Sequence, residues 1–453
     1  MDKLASFREK HPKFLYESFS YKIEDNSLVI SFLFKIYPDI EFNPRVTIEN
    51  INQTIFSNLD SKVLDNFVFN LGLVEMISYW KATCSPIIEI YAGTLKQNQL
   101  IWWKSLLIKG LGEFFYQNNI NFKENDFVNI TCTSQRSYKK DNTKHKNRYI
   151  IMNSGGRDSV VSLELFKDLK KAVTLLMLNP TKASLDVAKI SALGEQIVID
   201  REIDKKLLEL NAKGYLNGHT PFSAYLAFVS VLCALIFDYK FIVSSNERSA
   251  NEENVEFQGE KINHQYSKSF EFEKSFREYV NENLSDDIDY FSLLRPLYEI
   301  QISKLFSNYP KYFNSFKSCN RGQADNVWCG KCPKCLSIYV SLHPFIDEQK
   351  IVEIFSEDLY AKSDLQDLLL QITGKKQPKP FECVGTYIEI QLGLALSVEK
   401  FRTDNKPLPP ILKYSQENIL NHFSKQSGLL KSWDENNFLP NDMAETLKAK
   451  IEK

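Results

Sequence analysis

The chain has 453 residues, of which 43% are hydrophobic and 25% are charged, and its net charge at pH 7 is −1. This length predicts two or three domains, and the composition is that of a globular protein. The near-neutral charge excludes a global basic field that would recruit nucleic acid. The sequence has neither a signal peptide nor eighteen consecutive uncharged apolar residues, so we expect a cytoplasmic protein without a membrane partner.

Residues 1–145 are predicted to form a separate N-terminal α+β module. Apolar and polar residues alternate on both sides of Asp25-Asn26, which predicts a β-hairpin, and later segments carry apolar residues at helical spacing. The stretch 133–148 is polar, basic and without periodicity. We interpret it as a solvated linker that ends the module.

Residues 146–310 alternate between short apolar runs and helical patterns. The apolar runs read YIIMN, AVTLLML, QIVID and FIVSSN. Short strands without charged residues, separated by helices, are typical of a parallel sheet that is covered on both faces. We therefore predict an α/β fold with a Rossmann-like parallel sheet in this part of the chain. Residues 311–453 are predicted to be mainly helical.

A glycine turn separates the first of these strands, 149–153, from a helix that starts at about 158. Glycine permits a sharp turn and a close approach of a ligand, and the start of the helix presents unpaired N–H groups that favour phosphate. We expect the serines to add hydroxyl donors, and Asp158 to hold Mg²⁺ or to cap the helix. An ordinary strand-to-helix turn is the alternative. The candidate phosphate-binding residues are Ser154, Gly155, Gly156, Arg157, Asp158 and Ser159.

The pattern SGGRDS after an apolar strand resembles the PP-loop of the ATP pyrophosphatase superfamily. It lacks both the G-K-[ST] ending of a Walker A loop and the G-x-G-x-x-G of a dinucleotide fold. Members of this superfamily cleave ATP between the α- and β-phosphates and adenylate a carboxylate or a similar oxygen. The resemblance implies that residues 146–310 form a PP-loop ATP-binding domain that uses ATP and Mg²⁺.

Four of the eight cysteines lie within seventeen positions, with the spacing C-x9-C-x2-C-x2-C. Four thiolates in C-x2-C turns suit the tetrahedral geometry of Zn²⁺, and a site with no open position is structural. A redox dithiol, an iron–sulfur cluster or ordinary buried cysteines are the alternatives. The predicted zinc ligands are Cys319, Cys329, Cys332 and Cys335.

Six further motifs occur in a fixed order along the chain. They are NGHTP at 217–221, SSNERSA at 244–250, NHQYSKS at 263–269, LLRP at 293–296, WCGKCPKC at 328–335 and KPFECVG at 379–385. Together they resemble the bacterial UDP-N-acetyl-α-D-muramoyl-L-alanyl-L-glutamate epimerases, from about residue 148 to residue 385 and more loosely at KGLGEFFYQNN. One departure is Arg157, at a position where we expect lysine in that family.

The resemblance implies an ATP-dependent isomerase of peptidoglycan precursor synthesis with a small-molecule substrate. The terminal L-glutamate of UDP-MurNAc-L-Ala-L-Glu would become D-glutamate through a glutamyl adenylate, with release of AMP and pyrophosphate. Inversion at the α-carbon requires an acid and a base on opposite faces. Open α/β folds bind their ligands at the carboxyl edge of the sheet, where loop residues supply such groups. The candidate catalytic residues are Glu247, Cys383, His264, His219 and Lys268.

Positions in the sequence support some of these candidates. Glu247 directly follows a strand, and His264 and Lys268 share one face if their segment is helical. Arginine matches the planar geometry of carboxylates, so Arg248, Arg295 and Arg321 are candidate clamps for the substrate. For each candidate the alternative is a capping, packing or ion-pair role.

Other functions remain open at this point. A 7-cyano-7-deazaguanine synthase also combines an SGG-x-DS loop with four cysteines, but it needs a much shorter chain. A tRNA-thiolating enzyme shares the loop, although the near-neutral charge argues against a large RNA footprint. A non-enzymatic nucleotide-binding module is the third alternative, and the retained Asp158 argues against it.

Overall fold

The computed structural model describes residues 3–123, 127–421 and 427–452. The strands are β1 (Lys13–Glu24), β2 (Ser27–Ile36), β3 (Ile40–Phe42), β4 (Arg45–Ile48), β5 (Ile87–Ile90), β6 (Asn129–Cys132), β7 (Tyr149–Met152), β8 (Val173–Leu178), β9 (Gln196–Glu202), β10 (Phe241–Ser244), β11 (Val255–Phe257), β12 (Glu260–Ile262) and β13 (Asp289–Ser292).

The α-helices surround the sheet and form most of the C-terminal region. They are α1 (Lys3–Lys10), α2 (Gln53–Ser57), α3 (Ser61–Trp80), α4 (Gln97–Gly110), α5 (Gly112–Gln117), α6 (Arg157–Asp168), α7 (Lys182–Ser191), α8 (Lys205–Ala212), α9 (Phe222–Phe237), α10 (Phe270–Asn283), α11 (Glu299–Phe306), α12 (Pro333–Leu342), α13 (Glu348–Phe355), α14 (Gln366–Ile372), α15 (Tyr387–Thr403), α16 (Pro410–Asn418) and α17 (Asn441–Ile451). None of these described helices is long and apolar enough to span a membrane.

One large mixed sheet forms the centre of the molecule, in the order β13-β10-β7-β8-β9-β4-β2-β1-β5-β6, with β3 paired to β2. The strands β13, β10, β7, β8 and β9 run parallel, as the alternation of runs and helices predicted. The chain leaves β7 towards β8 and β9 and then returns to the other side with β10. Such a reversal opens a crevice at the carboxyl edge, where α/β proteins bind ligands.

The N-terminal residues share this sheet with the rest of the chain. Strand β4 pairs antiparallel with β9, so that Ile48 lies opposite Ile199. Helix α9 packs on α3 across the same junction, and both helices are largely buried. Near residue 145 the chain therefore passes from one part of the sheet, β1 to β6, to the other part, which begins at β7. The sequence suggested a separate module at this point.

The predicted N-terminal hairpin is confirmed. Strands β1 and β2 pair antiparallel, and Glu24 lies opposite Ser27. The two turn residues, Asp25 and Asn26, have φ angles of 47° and 59°. Two-residue hairpins with a type I′ turn need positive φ at both central positions, and Asn and Asp tolerate this conformation better than most residues.

The predicted linker, 133–148, contains neither a helix nor a strand among its residues, all of which are described. Its centre is nevertheless anchored. The Asp141 side chain is 2% exposed and accepts hydrogen bonds from Ser285 Oγ at 2.8 Å and from Thr143 Oγ1 at 2.7 Å. His145 Nε2 lies 2.8 Å from Oδ2, the same carboxylate oxygen that Ser285 contacts. The segment is therefore largely exposed, as expected of a solvated linker, but it is anchored to the rest of the protein at Asp141.

We expect Asp141→Asn to lower the free energy of unfolding by about 1–3 kcal/mol, because an amide cannot accept all the hydrogen bonds that converge on the buried carboxylate. Urea denaturation would measure the change. Lys144→Gln is the matched control, since this side chain is 82% exposed although it pairs with Asp287. An exposed pair should contribute less than about 1 kcal/mol, so equal losses in the two variants would contradict the anchoring role.

Candidate active site

The glycine turn joins the end of β7 to the start of α6, close to where the sequence placed it. Gly155 has a φ of +77°, and a Cβ atom there would lie 2.4 Å from the backbone nitrogen of Ser184. Both the dihedral angle and the contact with α7 therefore require glycine at this position. Gly156 follows in an extended conformation and precedes the first residue of α6.

Two serines shape the mouth of this turn. The Oγ of Ser159 accepts a hydrogen bond from the Ser154 backbone nitrogen and lies 3.2 Å from the Ser154 Oγ. Both residues line a cavity of about 660 Å³ at the carboxyl edge of the sheet, together with Asp158. The first N–H groups of a helix lack intrahelical partners, so the turn can bind an anion in this cavity.

The Arg157 side chain points away from the cavity into the protein. It is 1% exposed, and its guanidinium contacts Asp158 Oδ1 at 2.7 Å, Ser303 Oγ at 2.9 Å and Glu299 Oε2 at 3.5 Å. The sequence predicts Arg157 as a cation beside a bound phosphate. In this structure the guanidinium instead neutralises two acidic side chains behind the turn.

Asp158 presents one carboxylate oxygen to the cavity. Arg157 occupies Oδ1, while Oδ2 has no hydrogen-bond partner among the residues that the structure describes. Burial disfavours the charged form, but the positive charges of Arg157, Lys334 and Lys268 outweigh it and lower the pKa of Asp158. An ionised carboxylate oxygen with no partner is a suitable ligand for a hard cation.

Three lysines line a second, smaller cavity of about 170 Å³, which shares Ser154 and Asp158 with the first. They are Lys268, Lys317 and Lys334. Sequence reasoning missed Lys317 and Lys334. The signal for Lys334 was its place inside the cysteine motif, because the turn that supplies the cysteines also directs this side chain towards the cavity. The three ammonium groups give this cavity a positive lining.

Lys268 contacts Cys383 and shares a cavity with Glu247, and these two are the strongest candidates for acid–base chemistry. Its Nζ lies 3.2 Å from the Cys383 sulfur, and it lines both cavities, whereas Glu247 lines the larger and Cys383 the smaller. Burial and the Asp158 charge raise the pKa of Glu247 to about 7. Burial opposes the thiolate of Cys383, but Lys268 and His264 outweigh it and lower its pKa to about 6.

The Glu247 carboxylate has no hydrogen-bond partner within the described chain, although the residue is only 3% exposed. A thiol with a lowered pKa and a carboxyl with a raised pKa thus interact with the same ammonium group, that of Lys268. Pairs of titratable groups with pKa values shifted in this way are typical of acid–base sites.

The two histidine candidates lie together on the carboxylate of Glu113, which comes from α5. Glu113 Oε2 lies 2.5 Å from Nδ1 of His264 and 3.3 Å from Nδ1 of His219. Burial lowers the pKa of His219 to about 3. Burial opposes the charged form of His264, but Cys383 and Glu113 raise its pKa to about 9. Sequence reasoning missed Glu113, although it lies in the KGLGEFFYQNN stretch.

His264 and Lys268 are not on one α-helix, as the sequence suggested they might be. His264 lies in a turn and Lys268 ends a short 3₁₀ helix, Tyr266–Lys268. Lys268 nevertheless contacts Cys383, and the charges of both residues lower the pKa of that thiol.

Two of the three candidate arginine clamps are engaged within the protein. Arg295 is fully buried, pairs with Glu273 at 2.8 Å and donates hydrogen bonds to the carbonyl oxygens of Glu247 and Lys268. It is therefore not available to a substrate in this arrangement.

Arg248 also turns away from the cavities. It donates to Ser432 Oγ at 3.1 Å and lies 3.4 Å from Asp434 Oδ2. Arg321 is the only one of the three that is largely exposed, at 61%, and its nearest acidic partner is Glu382 at 3.7 Å. It remains the candidate of the three that a ligand can reach.

The four clustered cysteines converge at the start of α12. The Cys319 and Cys332 sulfurs are 3.9 Å apart, and those of Cys329 and Cys335 are 3.7 Å apart. A tetrahedron with zinc–sulfur bonds of about 2.3 Å has edges of about 3.8 Å, whereas a disulfide bond is about 2.05 Å long. These sulfur positions fit a structural zinc ion and form no disulfide.

Comparison with known proteins gives consistent matches over most of the chain. One family model, described as the MurL N-terminal domain, matches residues 6–293, and another, the MurL C-terminal domain, matches residues 315–424. The first match crosses residue 145, as the central sheet does.

Three curated relatives carry the name UDP-N-acetyl-alpha-D-muramoyl-L-alanyl-L-glutamate epimerase. The protein from Xanthomonas oryzae pv. oryzae (strain MAFF 311018) is 31% identical over 72% of this chain and 73% of its own length. The protein from Micromonospora sp. (strain ATCC 39149 / NRRL 15099 / SCC 1413) is 32% identical over 75% and 76%. The one from Salinispora tropica is 31% identical over 73% and 72%.

We expect protein purified under reducing conditions to contain about one zinc ion per chain. Cys332→Ser should lose most of this zinc and unfold more easily, by on the order of several kcal/mol, because the binding energy of a structural zinc is folding energy. Elemental analysis and urea denaturation would measure both effects. Cys132→Ser, outside the cluster, should change neither, and zinc-free wild-type protein of full stability would contradict the assignment.

Proposed function

The chain belongs to the MurL epimerase family, and on this basis we propose that it converts the terminal L-glutamate of UDP-MurNAc-L-Ala-L-Glu to D-glutamate at the expense of ATP. The observation that carries the proposal is the cluster of Glu247, Lys268 and Cys383 in the two adjoining cavities, next to the glycine turn. None of the eight cysteines forms a disulfide, which suits the reducing cytoplasm, where we place this step of peptidoglycan precursor synthesis.

The need for ATP follows from the acidity of the substrate. An α-proton beside a free carboxylate is a weak acid, because its removal would place a second negative charge next to the first. Adenylation of that carboxylate removes its charge and lets the electron pair of the carbanion delocalise onto the acyl oxygen. The reaction therefore divides into activation, proton exchange at the α-carbon and hydrolysis of the acyl–phosphate bond.

For activation, we assign the glycine turn to the phosphates of ATP, as in a PP-loop. The turn's strict need for glycine at 155 and its place at the start of α6 support this assignment. The free Oδ2 of Asp158 would hold Mg²⁺, which neutralises phosphate charge. The α-carboxylate of the substrate attacks the α-phosphorus, and pyrophosphate leaves towards the lysines of the smaller cavity.

For proton exchange, the Cys383 thiolate takes the α-proton and becomes a thiol, while the electron pair of the C–H bond moves onto the acyl oxygen. The protonated Glu247 then donates a proton to the opposite face and becomes a carboxylate. The pKa values of the two groups, about 6 and about 7, suit these roles near neutral pH. Lys268 contacts the Cys383 sulfur and its charge also acts on Glu247, so we assign it the return of a proton from the thiol to the carboxylate.

Hydrolysis of the acyl–phosphate bond completes the cycle. Water attacks the acyl carbon, AMP leaves with the bridging oxygen, and the D-glutamyl product regains a free carboxylate. The net reaction consumes one ATP and one water and releases AMP and pyrophosphate.

Turnover in D₂O with ATP, Mg²⁺ and UDP-MurNAc-L-Ala-L-Glu should place deuterium on the α-carbon of the product. Mass spectrometry and chiral analysis of the released glutamate would detect both the label and the inversion. Without ATP neither should appear. Release of AMP with no deuterium at the α-carbon would indicate an adenylating enzyme and would contradict the epimerase assignment.

Cys383→Ser and Glu247→Gln should each slow α-proton exchange by at least about 100-fold, the usual contribution of a positioned acid or base. AMP formation from the first turnover should persist, because neither group takes part in adenylation. Cys132→Ser serves as the matched cysteine control. If both variants exchange deuterium at the wild-type rate, these two residues are not the acid and base.

Asp158→Asn should abolish AMP formation while the protein stays folded. The turn keeps its backbone, but an amide oxygen holds Mg²⁺ far more weakly than a carboxylate. The measurement is radiolabelled AMP release, with thermal unfolding as the check on the fold. Wild-type rates of AMP formation in this variant would disprove the assignment of ATP to the glycine turn.

A further inference from the structure

We propose that Glu113, on the N-terminal side of the sheet, is a positioning residue that holds the His264 imidazole against the Cys383 sulfur. This inference rests on the proposed function for the role of Cys383 as a base. It also gives the first 145 residues a part in the active site, since the side chain that orients the histidine comes from α5.

The Glu113 carboxylate is fixed by contacts on both oxygens. The residue is 7% exposed; Oε1 accepts a hydrogen bond from Gln117 Nε2 at 2.6 Å, and Oε2 contacts His264. Its neighbour Gly112 lies so close to β12 that a Cβ atom would be 3.2 Å from Ile262 Cγ2. Helix α5 is thus packed directly against a side chain of β12, the strand that leads to His264.

The imidazole of His264 is held from two directions. Its backbone nitrogen donates to Asn254 Oδ1 at 2.9 Å, and its Nδ1 faces Glu113. The charge of the ring in turn favours the thiolate of Cys383 and lowers its pKa. A carboxylate, an imidazole and a thiol in this order form the arrangement in which a third group orients the base that serves a reactive atom.

The same three side chains, Glu113, His219 and His264, also meet the loose spacing of a metal site. The short contact favours a hydrogen bond instead. Zinc ligands at about 2.0–2.1 Å from the metal lie about 3.3 Å apart in a tetrahedron, whereas Glu113 Oε2 and His264 Nδ1 are 2.5 Å apart. Two ligands of one ion do not approach each other this closely, so the pair is a short hydrogen bond in this structure.

The charges around the thiol explain what the loss of Glu113 would do. Cys383 faces the cations of Lys268, Lys334 and His264, and His264 in turn faces Glu113 and the neutral His219. Without the carboxylate, the imidazole would hold its proton less firmly and turn more freely. The thiolate would then lose one of its three cationic neighbours.

The test is the pH dependence of Cys383 alkylation by iodoacetamide, because the thiolate is the reactive form. The reaction is followed on the zinc-loaded full chain, without substrate, by mass spectrometry of the Cys383 peptide. In the wild type we expect a midpoint near pH 6. In Glu113→Gln the midpoint should rise by about one pH unit, the lower end of the effect of a nearby charge. Glu260→Gln, an exposed glutamate nearby, should leave the midpoint unchanged.

A second variant separates positioning from a general loss of structure. If Glu113 acts through His264, then Glu113→Gln should cause no further shift in a His264→Gln background. In single turnovers, Glu113→Gln should slow α-proton exchange several-fold and leave AMP formation intact.

Three results would overturn the proposal. They are an unchanged alkylation midpoint in Glu113→Gln, an equal loss of AMP formation and proton exchange, and a second metal equivalent in the wild type that Glu113→Gln removes. Failure of the proposed function looks different: no AMP would form from the dipeptide substrate, while the alkylation shift would still be present.

Discussion

The buried guanidinium of Arg295 sets the spacing on which the site depends. It donates to the carbonyl oxygens of Glu247 and Lys268, which belong to different loops, and its charge is balanced by Glu273. The backbone segments that carry the Glu247 carboxyl group and the Lys268 ammonium group are thereby held together by an arginine that a substrate does not reach. Because removal of one partner would leave an unpaired charge in the interior, this contact is costly to break.

Acidic and basic groups alternate through the region behind the glycine turn. Asp158 pairs with Arg157, Arg157 approaches Glu299, and Glu299 lies 3.4 Å from the ammonium group of Lys334. Each buried charge therefore has an opposite neighbour, which lets several ionised groups remain in a region with little water. The same alternation depresses the pKa of Asp158 while that of Glu247, which lacks a cationic hydrogen-bond partner, rises.

Local patterns predicted a large part of this architecture. The hairpin at Asp25-Asn26, the parallel strands, the glycine turn and the cysteine cluster all depend on neighbouring residues, so the sequence alone carried them. The direction of the Arg157 side chain and the contact of Glu113 with His264, 151 positions away, depend on tertiary packing instead. No periodicity or spacing encodes such contacts. For this reason the sequence predicted Arg157 beside a phosphate, whereas in the structure its guanidinium pairs with Asp158 and Glu299.

The antiparallel pairing of β4 with β9 has a consequence for any attempt to divide the chain. A cut in the segment 133–148 would separate two halves of one sheet and leave β9 with a bare row of backbone donors and acceptors along one side. Unprotected edges of this kind recruit strands from other molecules. Fragments made at that point should therefore aggregate when produced alone and regain solubility when produced together, so the two halves are better regarded as one folding unit than as exchangeable parts.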